Sequence, residues 1–389
     1  MSPPPLAPSN AWLDITAIGA VVSVLLLSAG IWAWRIRRRQ LRRGVGLLKQ
    51  AGSSLPRSDR EVELVLGERG NASLLSEEEK QCIHDEVALA IGGEAASAEA
   101  GESKTDKDTM QLRHIGADER FAGEPDWLVT GQARDAARGI NSYLKVSDAE
   151  CYEKLVHGVA SVRREFQEHG TPQDVECLNY VLNSPAGSSD LRFPNGVRDQ
   201  GRSGEMLDDF VGHCHSVTSG LTTAHVLALR LYTTAAYVSI NQPLRDPTRK
   251  TPHPFPVTVN LISEGLKRLR TIAAESEDAH KSKCLWRGMR HVRMDERFST
   301  VGGTEIAPMS ATSDLRVALR YALSSNSLLF KITAKSFMER GADISYLSCF
   351  RAENEHLFSP LTYLRPTGRK EVVTSSGMTI TVVEVEPSL

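Results

Sequence analysis

The sequence predicts an α+β fold behind an N-terminal transmembrane helix and a linker, with a helical lobe packed on a mixed or antiparallel β core. Three observations carry this expectation. Residues 15–34 are apolar and uncharged over a bilayer's thickness. Residues 126–278 place their apolar side chains at helical spacing, and residues 279–389 change to short strand-like segments rich in β-branched residues. Strands gathered after helices argue against a doubly wound sheet. No G-x-G-x-x-G opens a helix after a strand, so the usual dinucleotide-binding fold is excluded.

Composition narrows the class further. The 389 residues are 41% hydrophobic and 24% charged, ordinary values for a folded chain. A formal net charge of −2 gives no global attraction to nucleic acid, and no nucleic-acid partner is expected. Cys82, Cys151, Cys177, Cys214, Cys284 and Cys349 include no C-x-x-C pair, and a chain of this size needs no disulfide framework. His213-Cys214-His215 has a metal-like composition. Adjacent residues point apart, however, and no second ligand pair stands at zinc spacing, so no metal is expected.

The elements follow in order. Residues 1–14 hold no Lys or Arg and read as an extracytoplasmic tail. The run ITAIGAVVSVLLLSAGIWAW at 15–34 follows, with Trp12, Trp32 and Trp34 near its ends, where amphipathic rings favour the interface. A cleaved signal peptide carries its charge before a shorter core; here Arg35, Arg37, Arg38, Arg39, Arg42 and Arg43 come after a long one. The expectation is a retained single-pass span with the N-terminus outside and the rest of the chain in the cytosol. Glycan on Asn71-Ala72-Ser73, an acceptor sequence used in the lumen, would reverse that orientation.

Residues 35–125 read as a basic juxtamembrane segment, short helices and a flexible linker. Ile83, Val87 and Ile91 suggest a helix over Leu75–Ile91, and the polar run GGEAASAEAGESKTDKDT suggests the tether. From Asp126 a globular domain, 126–389, is expected, with its helical lobe at 126–278 and its β core at 279–389. Leu144, Leu155, Val159, Val162, Phe166, Leu178, Val181 and Leu182 mark amphipathic helices, broken near 184–204. SGLTTAHVLALRLYTTAAYVSINQPLRD reads as one strong helix with Val226, Leu229, Tyr232, Thr233, Ala236 and Ile240 on a buried stripe, stopped by Pro243 and PHPFP. Another helix is expected over Leu261–Ala274. Strands are expected at Lys283–Met289, Glu305–Ser310, Leu328–Thr333, Glu355–Arg365 and Met378–Val385, with a short helix at Asp314–Leu323.

Three polar elements interrupt the strands. Arg287 lies inside CLWRGM, and a guanidinium in an apolar strand needs an anionic partner, either a structural carboxylate or a ligand pyrophosphate that suits its planar fork. Gly288 beside it permits close approach of a ligand to the backbone. Ser310-Ala311-Thr312-Ser313 closes a second strand, where Ser313 also suits a helix N-cap. Glu353-Asn354-Glu355 opens a third. On an extended chain both carboxylates project the same way; alternatively Glu353 lies in a loop and only Glu355 on the strand. Either arrangement offers negative charge to the oxocarbenium-like centre formed when an N-glycosidic bond breaks.

In this order, these residues resemble the Arg–Ser–Glu class of arginine-specific mono-ADP-ribosyltransferases. HVLALRLYTTAAYVSINQPLR at 225–245 resembles the family's helical segment, with Leu231-Tyr232-Thr233 and Ile240-Asn241 in familiar places. CLWRGM, PMSATSDLRVALRYA and ENEHLFSPLTYL continue in register, so the resemblance covers about residues 215–385. Trp286 replaces the tyrosine that often precedes the arginine, and Ala311 replaces the central hydroxyl of the family's Ser-Thr-Ser.

The resemblance implies NAD, or NADP in its place, as co-substrate, and no metal. It implies that Arg287 holds the phosphates, Gly288 meets the nicotinamide carboxamide through its backbone, and Ser310 binds the ribose and orients the glutamate. Glu355 would engage the ribose 2′-hydroxyl and the oxocarbenium; Glu353 would take the acceptor guanidinium, with Phe350 as the aromatic of the acceptor loop. The expected activity is transfer of ADP-ribose to arginine side chains of a protein. Hydrolysis of NAD at the same site is one alternative, and a membrane-tethered binding module without chemistry is another.

Overall fold

A computed structural model describes residues 73–99, 128–130, 139–188, 199, 201–246, 248–290, 292, 294, 296–324 and 327–388. The expected span at 15–34, its basic flank, Asn71 of the acceptor sequence and most of the linker lie outside these residues. Among the described residues no helix is long and apolar enough to cross a membrane.

Helices α1 (Glu77–Glu99), α2 (Gly139–Leu144), α3 (Asp148–Val156), α4 (Val159–His169), α5 (Pro172–Asn183), α6 (Leu207–Gly212), α7 (Cys214–Thr218), α8 (Thr223–Tyr232), α9 (Tyr237–Arg245) and α10 (Pro256–Ala274) come before all but one short strand, β1 (Leu128–Thr130). Then follow β2 (Lys283–Arg290), α11 (Glu296–Val301), β3 (Gly303–Glu305), β4 (Met309–Thr312), α12 (Leu315–Ala322), β5 (Ser327–Ala334), β6 (Ala342–Asp343), β7 (Glu355–Phe358), β8 (Thr362–Ser375) and β9 (Met378–Ser388). The strands form one sheet in the order β1-β3-β8-β9-β5-β2-β4-β7-β6. The β5–β9 pair is parallel and the others are antiparallel, so the sheet is mixed, as the sequence predicts.

Helix α8 is the centre of the lobe. Every residue from Ala224 to Tyr232 is buried, the pattern of a helix enclosed on all sides rather than one with a single apolar stripe. Val162 and Phe166 of α4, Leu178 and Val181 of α5, and Leu261, Ile262 and Leu266 of α10 share its core. The single long helix expected here is two. Thr233 and Thr234 turn their hydroxyls onto the carbonyls of Arg230 (2.8 Å) and Leu231 (2.6 Å), which also accept the Thr233 and Thr234 amides (3.1 and 3.0 Å), so α8 tightens into i→i−3 bonds and ends. The stripe itself holds, with Val226, Leu229, Tyr232, Thr233, Ala236 and Ile240 all buried. Pro243 does not stop α9; it lies in the last turn. Helix α10 begins five residues before the expected Leu261, with Pro256 in its first turn, where no intrahelical N–H is needed.

Two expected strands are each broken in two. Glu305–Ser310 divides into β3 and β4 around Ala307-Pro308, and Glu355–Arg365 into β7 and β8 at Leu361, whose φ is 68°. Proline cannot donate to the ladder, and a left-handed residue turns the chain out of it. The helix expected at Asp314–Leu323 is α12, and Asp314 rather than Ser313 caps it, accepting from the Arg316 amide.

The largest departure concerns α1. Ile83 and Val87 are fully buried, as their spacing predicts, but the helix is no part of a separate tether. It runs on through residues expected to open the linker and packs with α12 over Trp286, Leu329, Ile380 and Val382 of the sheet. Its first turn is held by Lys331, whose ammonium donates to the Leu74 carbonyl (3.1 Å) and to both oxygens of Glu79 (2.9 and 2.8 Å). Glu371 accepts from Ser73 Oγ (2.8 Å) and the Leu75 amide (3.0 Å).

Candidate active site

The strand order explains how residues distant in sequence meet. Arg287 lies on β2, Ser310 on β4 and Glu355 on β7, three neighbouring strands. In register, Trp286 faces Thr312 and Thr312 faces Glu355. Trp286–Thr312 is the one residue pair registered between β2 and β4, and residues of both strands line a cleft. The cleft is open to solvent, and about 1310 Å³ of atom-free space, part of it solvent, lies within its walls. Its walls include Arg287, Gly288, Ser310, Phe350, Glu353 and Glu355, every one of the residues singled out in the sequence.

Hydrogen bonds connect the set. Arg287 donates through Nη1 to the Ser310 carbonyl (2.7 Å), and Ser310 Oγ donates to Glu355 Oε1. Burial, followed by the neighbouring Arg245 guanidinium, opposes the charge on Arg287, so an anion arriving in the cleft relieves an unfavourable field. Burial also pushes the Glu355 carboxyl above the ordinary glutamate range, although two hydroxyls favour its ionised form. The first is Ser310. The second, Ser348, was not anticipated: its Oγ donates to Glu355 Oε2 at 2.9 Å and accepts from the Phe350 amide at 3.1 Å.

Of the two arrangements open for Glu353, the loop is the one adopted. Glu353 ends a 3-10 turn over Arg351–Glu353, Asn354 follows with φ 47°, and the strand begins at Glu355. Thr312 Oγ1 donates to the Glu353 carbonyl (2.6 Å), and the Tyr321 hydroxyl donates to both carboxylate oxygens (2.8 Å each).

Gly288 has a reason different from the one expected. A Cβ there would lie 1.9 Å from the Ala318 carbonyl oxygen, so the glycine admits α12 against β2. Its backbone still lines the cleft.

Behind the site lies a buried network without a signal in the sequence. Arg230 donates to both oxygens of Asp199 (2.8 and 2.7 Å) and to the Leu347 carbonyl (2.8 Å). Arg202 donates to the carbonyls of Ser345, Tyr346 and Ser348 (3.1, 2.6 and 3.1 Å). Burial alone would raise the Asp199 pKa, but the Arg230 guanidinium holds it below the usual range. The helical lobe thus fixes the loop that presents Ser348 to Glu355. Tyr232, Asn241 and Arg245, from the helical segment of the family resemblance, also reach the cleft; Arg245 does so while paired with buried Glu305 (3.1 and 3.0 Å).

His213 and His215 pack instead on the Tyr346 ring, at 4.3 and 5.2 Å between centroids. Among the described residues no group of three His, Cys, Asp or Glu could hold a metal ion.

Residues 206–384 match the family model described as NAD:arginine ADP-ribosyltransferase. Residues 206–384, just under half of the chain, are thus a domain of the ADP-ribosyltransferase family. It is an ADP-ribosyltransferase whose co-substrate is NAD. No curated protein matches the chain in sequence. Among solved structures, the ADP-ribosyltransferase HopU1 of Pseudomonas syringae is 19% identical, with 55% of this chain and 97% of that one covered at a TM-score of 0.35. Plx2a, an ADP-ribosyltransferase toxin from Paenibacillus larvae, is 15% identical over 47% of this chain and 95% of its own, also at 0.35. The eukaryotic mono-ADP-ribosyltransferase ART2.2, in complex with NADH, is 14% identical over 68% and 93%, at 0.33.

Proposed function

We propose that this transferase moves ADP-ribose from NAD to arginine side chains of a protein and releases nicotinamide. The observation that carries the reading is the second carboxylate, Glu353, lining the same cleft as Glu355. One carboxylate serves a cation on the sugar; a second is needed where the nucleophile is itself a cation that must lose a proton. In this reading Arg287 holds the phosphates, the Gly288 backbone meets the carboxamide, and Ser310 binds the ribose and aligns Glu355. As the C1′–N bond breaks, nicotinamide leaves with the electron pair and Glu355 stabilises the oxocarbenium ion. A guanidinium nitrogen, steered by Phe350 and Glu353, then bonds to C1′ and gives its proton to Glu353.

The proposal extends to place. Residues 15–34 span a membrane with the N-terminus outside, and the catalytic domain works on the cytosolic side. Carbonate-resistant sedimentation and loss of the domain only after the cytosolic face is opened to protease are the expected results; glycan on Asn71 is the result against it.

Labelled NAD and agmatine, a small guanidinium acceptor, test the chemistry. Wild type should label agmatine, Glu355→Ala should lose labelling and NAD cleavage together, and Glu353→Ala should lose labelling but keep some cleavage. NADP replaces NAD in a parallel reaction. Cleavage by wild type without agmatine or protein labelling would make this a hydrolase; wild-type activity in Glu355→Ala would falsify the site.

A further inference from the structure

Helix α12 brings a tyrosine to the acceptor carboxylate. The Tyr321 hydroxyl lies 2.8 Å from both Glu353 Oε1 and Glu353 Oε2, and both side chains are half-buried in the cleft wall. The same residue is held by its backbone: Thr312 Oγ1 donates to its carbonyl at 2.6 Å, and its amide donates to the Phe350 carbonyl at 2.9 Å. Its chain neighbours Arg351, Ala352 and Asn354 are exposed. Ordering the χ angles of a glutamate costs about 1.5–2 kcal/mol. The phenol meets part of that cost before any acceptor arrives.

We propose that Tyr321 is a positioning residue for Glu353 and thereby sets the partition between transfer to a guanidinium and hydrolysis of NAD. The inference rests on the acceptor role of Glu353 proposed above. One shared phenol proton occupies a single lone pair on each oxygen, and an ionised carboxylate has about four acceptor positions. With the phenol between the two oxygens, their outward lone pairs are turned to a fixed plane, in which a guanidinium N–H can donate to one of them. Water needs no such plane, so cleavage by water does not depend on the tyrosine. The phenol also favours the ionised form of Glu353, the form able to take a proton.

Tyr321→Phe keeps the ring and its packing and removes only the donor. Labelling of agmatine should fall about tenfold, the scale of one hydrogen bond to a charged group, while nicotinamide release without acceptor stays within about twofold. The acidic limb of labelling should move to higher pH, because Glu353 loses a group that stabilises its charge. A matched fall in both reactions would place Tyr321 in the NAD site and overturn the inference, as would no change in either. NAD-free protein carrying carbon-13 glutamate gives a separate readout. The Glu353 titration should rise in the Phe variant, and an unmoved titration overturns the inference. If wild type labels no guanidinium, the acceptor reading fails by itself, and this titration alone decides whether Tyr321 orders the carboxylate.

Discussion

Glu355 is at once buried, hydrogen-bonded and raised in pKa, and these properties have separable consequences. A carboxyl whose folded pKa exceeds its unfolded one binds a proton more readily in the native state. Native stability attached to it is therefore present at low pH and lost as pH rises through the folded value. Glu355→Gln should raise the melting temperature near neutral pH, and the gain should vanish below the unfolded glutamate value, as thermal denaturation across pH will read. Ser348→Ala removes one of the two hydroxyls that favour the ionised form, so the acidic limb of NAD cleavage should move to higher pH. An unmoved limb would mean Ser348 only shapes the loop. Arg287, Ser310 and Glu355 were legible only as an ordered set resembling a known family, because singly each has an ordinary structural role as an ion pair, a cap or a solvated charge. Ser348 and Tyr321 were not. A serine in an irregular loop and a tyrosine on an amphipathic helix are ordinary residues until the chain is folded around them.

At the scale of elements, the family-matched segment ends at 206 on its N-terminal side, yet the sheet is covered by a helix that starts at Glu77. Its Leu74, Leu75, Ile83 and Val87 neighbours share a core with Trp286 and Leu319. A chain beginning at residue 126 should therefore expose that face, precipitate or melt far lower than one beginning at residue 71, and lose NAD cleavage with its fold. Equal melting of the two would show that α1 is only apposed. Gly288→Ala should force α12 off β2, costing about 1–3 kcal/mol as overpacking does, and should lower agmatine labelling as well, because α12 carries Tyr321. Existence and type of these elements could be read from periodicity. Their ends could not, because hydroxyls at Thr233 and Thr234, Pro308, and the left-handed backbone of Leu361 set them, and each depends on a neighbour or a dihedral angle outside the local pattern. Nor does periodicity tell a helix that will pack on a distant sheet from one that will stand alone.

Across the described residues, burial lowers the pKa of four imidazoles, His213, His225, His253 and His356. Burial pushes His253 down to about 3; its ring bonds the Ile240 carbonyl (3.0 Å) and accepts from the Phe255 amide (2.9 Å). Burial, then the adjacent Lys283 ammonium, pushes His356 down to about 4. The unfolded chain takes up these protons near pH 6.5, before the folded one does, so stability should fall as pH drops from 6.5 toward 4. Calorimetry of His253→Gln should show a flatter slope in that window; an unchanged slope would assign the effect to carboxylates.

The strand order has one more result. β9, the last described strand, is not an edge: it is inserted between β8 and β5, and β5 in turn supports β2 with its arginine. Until Met378–Ser388 are in place, the bridge from β3 and β8 to the NAD strands is missing. A chain that stops short of Met378 is thus expected to be inert toward NAD, because its arginine strand has no support until the last described strand slots home.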